Sequence, residues 1–167
     1  MKAAQLFDVS GQVAVVTGAA SGLGLAYSEV LARNGATVAM LDVDTQGLED
    51  AARRLGSEGC RILTHTVDVG DTATLRAAFD ATAKAEGRLD IVFANAGISG
   101  GPNYRLPQGE MANVPDELWE RVLRLNLTSV FETLRIAAGH MKPQRRGRIV
   151  VTRSEEHTSE LQSHHDL

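Results

Sequence analysis

Cysteine is almost missing from this sequence, proline is sparse, and aromatic residues are few: one Cys, four Pro, four Phe, two Tyr and one Trp. A single thiol, Cys60, cannot close an internal disulfide, which fits a reducing cytoplasm and makes Cys60 a small packing residue rather than a nucleophile. No apolar run is long enough to span a bilayer, and the opening MKAAQLFDVSGQ has no apolar signal core. Basic excess is absent too. A net charge of −4 argues against nucleic acid or an anionic membrane as partner. No set of metal ligands at working spacing stands out; His157, His164 and His165 fall in a C-terminal stretch that offers no fixed geometry, so no metal is expected. What is present is 167 residues, 43% hydrophobic and 23% charged, enough for one domain with a real core.

The most informative stretch is VAVVTGAASGLGLA, residues 13–26. A β-branched apolar run breaks into glycines at Gly18, Gly22 and Gly24 and passes straight into a helical pattern. Strand, glycine turn and helix start are the parts of a phosphate-binding site. Glycine allows a ligand close to the backbone, and a helix N-terminus offers unpaired N–H groups to an anion. The same glycines would also serve simply to close a strand-to-helix turn.

Periodicity predicts the rest of the chain. A helix over 22–34 carries Leu23, Ala26, Tyr27, Val30 and Leu31 on its inward face and ends at Asn34-Gly35. A second strand, 36–41, leads to Asp42. This acid follows the first glycine at about the spacing where a carboxylate bonds the adenosine ribose hydroxyls, and it would repel a 2′-phosphate, so it favours NAD over NADP. The alternative role, capping the helix at 45–57, suits Asp44 better. A third strand at 62–67 contains His65, read as a satisfied imidazole, and is followed by Asp68-Val69. Asp71 competes with Asp68 as cap of a helix at 72–86. A continuous apolar strand, 90–94, runs into Asn95-Ala96-Gly97. The Gly-, Pro- and Asn-rich segment 98–114 is a loop, in which Tyr104 and Arg105 read as ordinary residues. One helix is expected from Pro115 to about Met141. Its apolar face includes Leu118, Val122, Leu125, Leu127, Val130, Phe131, Leu134 and Ile136, Trp119 packs at its start, and Asn126 is a polar residue embedded among them. A basic turn at 142–148 precedes a fifth strand, 149–152. Strands alternating with helices predict a doubly wound parallel α/β sheet.

Thr17–Gly24 in the form T-G-x-x-x-G-x-G, then Asp42, Asp68, Asn95-Ala96-Gly97 and Asn126, in this order, resemble the short-chain dehydrogenase/reductase family over about residues 8–152. The resemblance implies a three-layer αβα Rossmann-type domain. It implies an NAD-dependent oxidoreductase that moves a hydride between nicotinamide and a carbonyl or secondary alcohol of a small molecule, as a homodimer or homotetramer with contacts along long apolar helix faces. Thr17, Gly18, Ser21, Gly22, Leu23 and Gly24 would form the cofactor loop, and Asp68 and Val69 would lie beside the adenine. Asn95, Ala96 and Gly97 would line the cofactor site, and Asn126 would help hold a water and position a catalytic lysine.

The family's catalytic serine follows the fifth strand, where Ser154 stands. Its tyrosine acid/base belongs to a Tyr-x-x-x-Lys pair on the next helix. The only tyrosines here, Tyr27 and Tyr104, lack a lysine four residues on. Residues 153–163, RSEEHTSELQS, resemble the translation of a sequencing-library adapter. Residues 1–152 are therefore expected to be a Rossmann domain incomplete at its C-terminus, and 153–167 a non-native or disordered tail. Without the tyrosine, no group is placed to exchange a proton with the substrate, so little activity is expected. If the tail is genuine, the alternative is a non-catalytic dinucleotide-binding or interaction module. A Rossmann-like methyltransferase also shares the glycine loop and the acid after strand two, but Asn95–Gly97 speaks against it.

Overall fold

The computed structural model describes residues 8–101 and 107–153. Five strands form one sheet: β1 (Val13–Thr17), β2 (Thr37–Asp42), β3 (Ile62–Thr66), β4 (Ile91–Ala94) and β5 (Arg148–Val151). All neighbours are parallel, in the order β3-β2-β1-β4-β5. Helices α1 (Gly22–Arg33), α2 (Thr45–Ser57), α3 (Thr72–Glu86), α4 (Asp116–Leu123) and α5 (Ser129–Gln144) make the crossovers. This is the doubly wound Rossmann order, and the winding reverses between β1 and β4.

Successive strand residues point to opposite faces, so an apolar strand between two helix layers feeds two cores. Ala14, Val16, Val38 and Met40 join Leu48, Ala51 and Leu55 on the α1/α2 side. Val15, Ala39, Leu41 and Val92 join Leu75, Phe79, Ile136 and Met141 on the α3/α5 side. At the N-terminal ends of the strands, buried Asp90 ties the centre together. It accepts hydrogen bonds from Val13 N (2.9 Å) and from the Arg88 guanidinium (2.6 and 2.7 Å), and it pairs with Arg146 at 3.2 Å. Burial alone would push the Asp90 carboxyl up; the Arg88 and Val13 hydrogen bonds and the two guanidinium charges outweigh it and hold the carboxyl below its ordinary range.

Several boundaries and faces differ from the sequence-based expectation. The inward side of α1 carries Gly24, Ser28 and Ala32, while Leu23 and Val30 are exposed. The reason is the close approach of α1 to the glycine loop: a β-carbon on Gly24 would sit 1.9 Å from Gly18 O. Only small residues fit at that contact, so Leu23 and Val30 turn outward, while Leu25 and Leu31 still pack against the core beside it. Tyr27 does pack inward, with its ring 4.7 Å from that of Phe93. The expected single helix from Pro115 is broken by a π-helical turn, Arg124–Thr128, between α4 and α5. It also runs on to Gln144, three residues into the segment read as a basic turn. Trp119 is not packed at its start but 53% exposed, and Leu127 and Phe131 are exposed as well. Asp44 and Asp71 cap α2 and α3, accepting from Gly47 N and from Ala73 N and Thr74 N.

Candidate functional site

The strands' C-terminal ends open onto a cleft of about 840 Å³ at the β1/β4 winding reversal. This is where open α/β sheets hold ligands, and the volume is ample for one. The loop after β1 forms one wall. Gly18 (φ +67°) and Gly22 (φ +53°) adopt backbone angles that disfavour side chains. A β-carbon on Gly18 would press to 2.9 Å from Ala96 Cα, so the loop and the chain after β4 touch there. At Gly22 the same β-carbon would meet nothing within 4 Å, because the space in front of it is the cleft. Ser21 precedes α1 without turning its hydroxyl onto the helix end, which leaves the first N–H groups of α1 uncapped at the cleft wall.

Thr17 and Asn95 fasten this wall from behind. Thr17 Oγ1 accepts hydrogen bonds from Asn95 N (3.0 Å) and Ala96 N (3.1 Å), and Asn95 Nδ2 donates to Thr17 O (3.1 Å) and Gly18 O (3.3 Å). Thr17 is buried and, like Gly24, stands outside the cleft lining; both shape the loop rather than face the cavity. Gly18, Ser21, Gly22, Leu23, Asn95, Ala96 and Gly97 do line it, together with Asp42, Asp68, Val69 and Asn126.

Each acid has a local duty as well. Asp42 Oδ2 accepts from Ala20 N (3.0 Å) and its Oδ1 from Asp44 N (3.1 Å), so one carboxylate aims the glycine loop and the start of the β2–α2 turn. Asp68 Oδ1 accepts from Gly70 N (2.8 Å). Asn126 sits in the π turn with both ends of its amide on one residue: Oδ1 accepts from Ile98 N and Nδ2 donates to Ile98 O, each at 2.8 Å. The amide bonds across to the loop after β4 rather than within its own helix, and so clamps that loop. Such π turns recur at functional sites.

The sequence reading passed over Arg121, Arg124 and Thr152, which also line the cleft. The signal was present: Arg121 and Arg124 lie one turn apart on the helix that carries Asn126. Tyr104, Arg105 and Ser154 lie outside the described residues.

The short chain dehydrogenase family model matches residues 12–163. The chain belongs to the short chain dehydrogenase family. A D-threitol dehydrogenase of Mycolicibacterium smegmatis is 35% identical over 158 residues, covering 95% of this chain and 58% of that protein. Among solved structures, a short-chain type dehydrogenase/reductase from Mycobacterium marinum superposes with a TM-score of 0.85 at 31% identity, over 95% of this chain and 62% of that one. A carveol dehydrogenase from Mycobacterium avium, solved in complex with NAD, gives 0.79 at 31% identity, over 88% and 56%. This short chain dehydrogenase sequence thus spans between half and two thirds of the relatives it matches.

Proposed function

We propose that the cleft binds NAD, and that the chain is the cofactor-binding part of an oxidoreductase acting on a small carbonyl compound or secondary alcohol. The observation that carries this reading is the convergence in one cleft of Gly18, Ser21, Gly22, Leu23, Asp42, Asp68-Val69 and Asn95–Gly97, with open space in front of Gly22. The residues fit a dinucleotide. The uncapped N–H groups at the start of α1 suit the pyrophosphate. Asp42 suits ribose hydroxyls, and its fixed carboxylate disfavours a 2′-phosphate. The NAD complex of the carveol dehydrogenase relative supports the same cofactor. Bound there, NAD supplies a hydride acceptor; the chain's own residues bind and orient it. In this reading Asn126 is a positioning residue, whose amide fixes Ile98 and so the loop over the cleft.

Equilibrium binding of NAD and NADP to the purified chain tests this. NAD should bind tighter by about tenfold or more, and Asp42→Ala should shrink the gap. Equal affinity in the parent chain would sink the Asp42 assignment, and no binding of either would sink the cofactor reading.

A second reading, a dinucleotide-binding module without catalysis, is favoured for residues 1–167 by the lack of any Tyr-x-x-x-Lys pair. Absorbance of NADH at saturating cofactor with a panel of alcohols separates the two, and the expected rate is near zero. Ser154 belongs to the same proposal as the hydroxyl that would polarise a substrate carbonyl. We also assign to Trp119, Leu123, Leu127 and Phe131, an exposed stripe at four-residue spacing, the contact with a second copy in a homodimer or homotetramer. A monomer by light scattering at tens of micromolar would remove that assignment. The lone Cys60 supports a cytoplasmic setting. No described helix is long and apolar enough to cross a membrane.

A further inference from the structure

The cleft is charged unevenly. Asp42 and Asp68 stand at the ends of β2 and β3, and Arg121 and Arg124, from the helix that follows the loop after β4, line the same cavity. Several arginines elsewhere are matched with acids: Arg33 holds Glu58, Arg54 holds Glu29, Arg61 holds Glu86 and Arg88 holds Asp90, whereas Arg76, Arg145 and Arg148 make no ion pair among the described residues but lie outside the cleft lining. Arg121 and Arg124 make no ion pair among the described residues, although they sit three positions apart on one helix face, where like charges repel. Two unmatched cations held side by side in a cleft are a feature that a ligand would explain.

The position of Arg124 narrows the choice of ligand. Its stem packs on the turn after β3: a β-carbon built on Gly70 would lie 3.1 Å from Asp68 Oδ1, 3.2 Å from Leu125 Cδ2 and 3.4 Å from Arg124 Cδ. Asp68, Leu125 and Arg124 therefore meet at one point. β3 lies two strands from β1, about 10 Å from the glycine loop that would take the phosphates. Arg124 thus serves the far end of an extended ligand, beside Asp68 and Val69. A guanidinium is planar and weakly hydrated and stacks well on an aromatic face, whereas a lysine ammonium supplies only a point charge. We propose that Arg124 is the lid of a purine subsite, its guanidinium lying over the adenine face of the bound dinucleotide with Leu125 as apolar support. This rests on the cofactor reading above and adds a specificity residue to it.

The test is equilibrium binding of ADP-ribose, adenosine and nicotinamide mononucleotide to the chain and to its Arg124→Met and Arg124→Lys variants, with folding checked by circular dichroism. Arg124 is exposed, so both variants should fold. Stacking requires that Arg124→Met weaken ADP-ribose and adenosine by the same factor, about 3- to 30-fold, and leave nicotinamide mononucleotide unchanged. Arg124→Lys should recover only part of the loss. A loss for ADP-ribose without one for adenosine, or full recovery by lysine, would show a charge attracting phosphate and overturn the lid. Unchanged affinities in Arg124→Met beside normal binding by the parent chain would overturn the lid alone. No binding of ADP-ribose by the parent chain would take down the cofactor reading and the lid together.

Discussion

The sheet has two outer strands, and they are composed differently. β3 reads ILTHT and presents Thr64 and Thr66 to solvent, with His65 half-buried between them. β5 reads RIVV and leaves Ile149, Val150 and Val151 36%, 43% and 41% exposed. Polar side chains are how a sheet edge is made safe from pairing with another chain, and β3 follows that rule. β5 instead has the continuous β-branched composition of central β1, whose Val13–Val16 are 0–3% exposed. Identical chemistry thus lies in two environments. The composition of a parallel strand states how much cover it is built for, and β5 is built for more than the described residues supply.

The largest test concerns the covered centre. Thr17→Val keeps the shape but removes the acceptor for Asn95 N and Ala96 N. Each buried N–H left unpaired costs about 1–3 kcal/mol, so a loss of about 2–5 kcal/mol is expected in urea unfolding, with cofactor affinity falling as the loop loosens. A change under about 1 kcal/mol would mean that water replaces the hydroxyl and that the centre is less sealed than its burial states. Next comes a matched pair of truncations. Val15→Ala should cost about 2–3 kcal/mol, the transfer term for two methyl groups plus a cavity. Val150→Ala on β5 should cost under about 1 kcal/mol, because little area is withdrawn from water there. Equal costs would break the comparison and show that β5 is covered in solution by something, a second copy being the first candidate. Val150→Lys should then sharpen it: more soluble, less associated protein, with a small change in unfolding midpoint.

Much of the architecture was legible in the sequence because it depends on local rules. Apolar β-branched runs and the 3.6 period placed the strands and the first three helices to within a few residues, and Asp44 as a cap followed from side-chain chemistry, whereas the choice between Asp68 and Asp71 is decided only by the structure, in which Asp71 accepts from Ala73 N and Thr74 N. The glycine loop was legible as well, since φ above zero at Gly18 and Gly22 calls for glycine. The inward face of α1 was not. Which side of that helix turns in is decided by the contact between Gly24 and Gly18 O, a fact of tertiary approach that outranks the hydrophobic count. The π turn was hidden for a related reason: a helix with an added residue keeps its composition, and the contact it accompanies, Asn126 bonded to Ile98 across 28 positions, is a tertiary one. In the candidate site, Asp42 was singled out by its spacing from the first glycine and Asp68 by the family resemblance, and both line the cleft. Arg121 and Arg124 were missed because a helix arginine normally reads as a solvated face.

The smallest effect lies on the polar edge, and it depends on pH. His65 Nε2 and Thr82 Oγ1 are 3.1 Å apart, and Thr82 already donates its hydroxyl proton to Ala78 O, so the imidazole donates from Nε2. Burial lowers the His65 pKa below its ordinary value. The unfolded chain, whose imidazole titrates near 6.5, therefore takes up the proton first on acidification. His65 contributes its full share of stability above about pH 6.5 and loses it as the pH falls from there through the lower folded value, below which the loss levels off. Urea midpoints of the parent chain should fall between pH 7.5 and 5 by more than those of His65→Gln, and the difference between the two slopes isolates this group from His140 and its partner Asp80. Parallel slopes would remove His65 as the source. A steeper fall in the parent would make acid the agent that loosens β3, while β5, whose strand residues carry no imidazole or carboxylate, should keep its pairing with β4 over the same range.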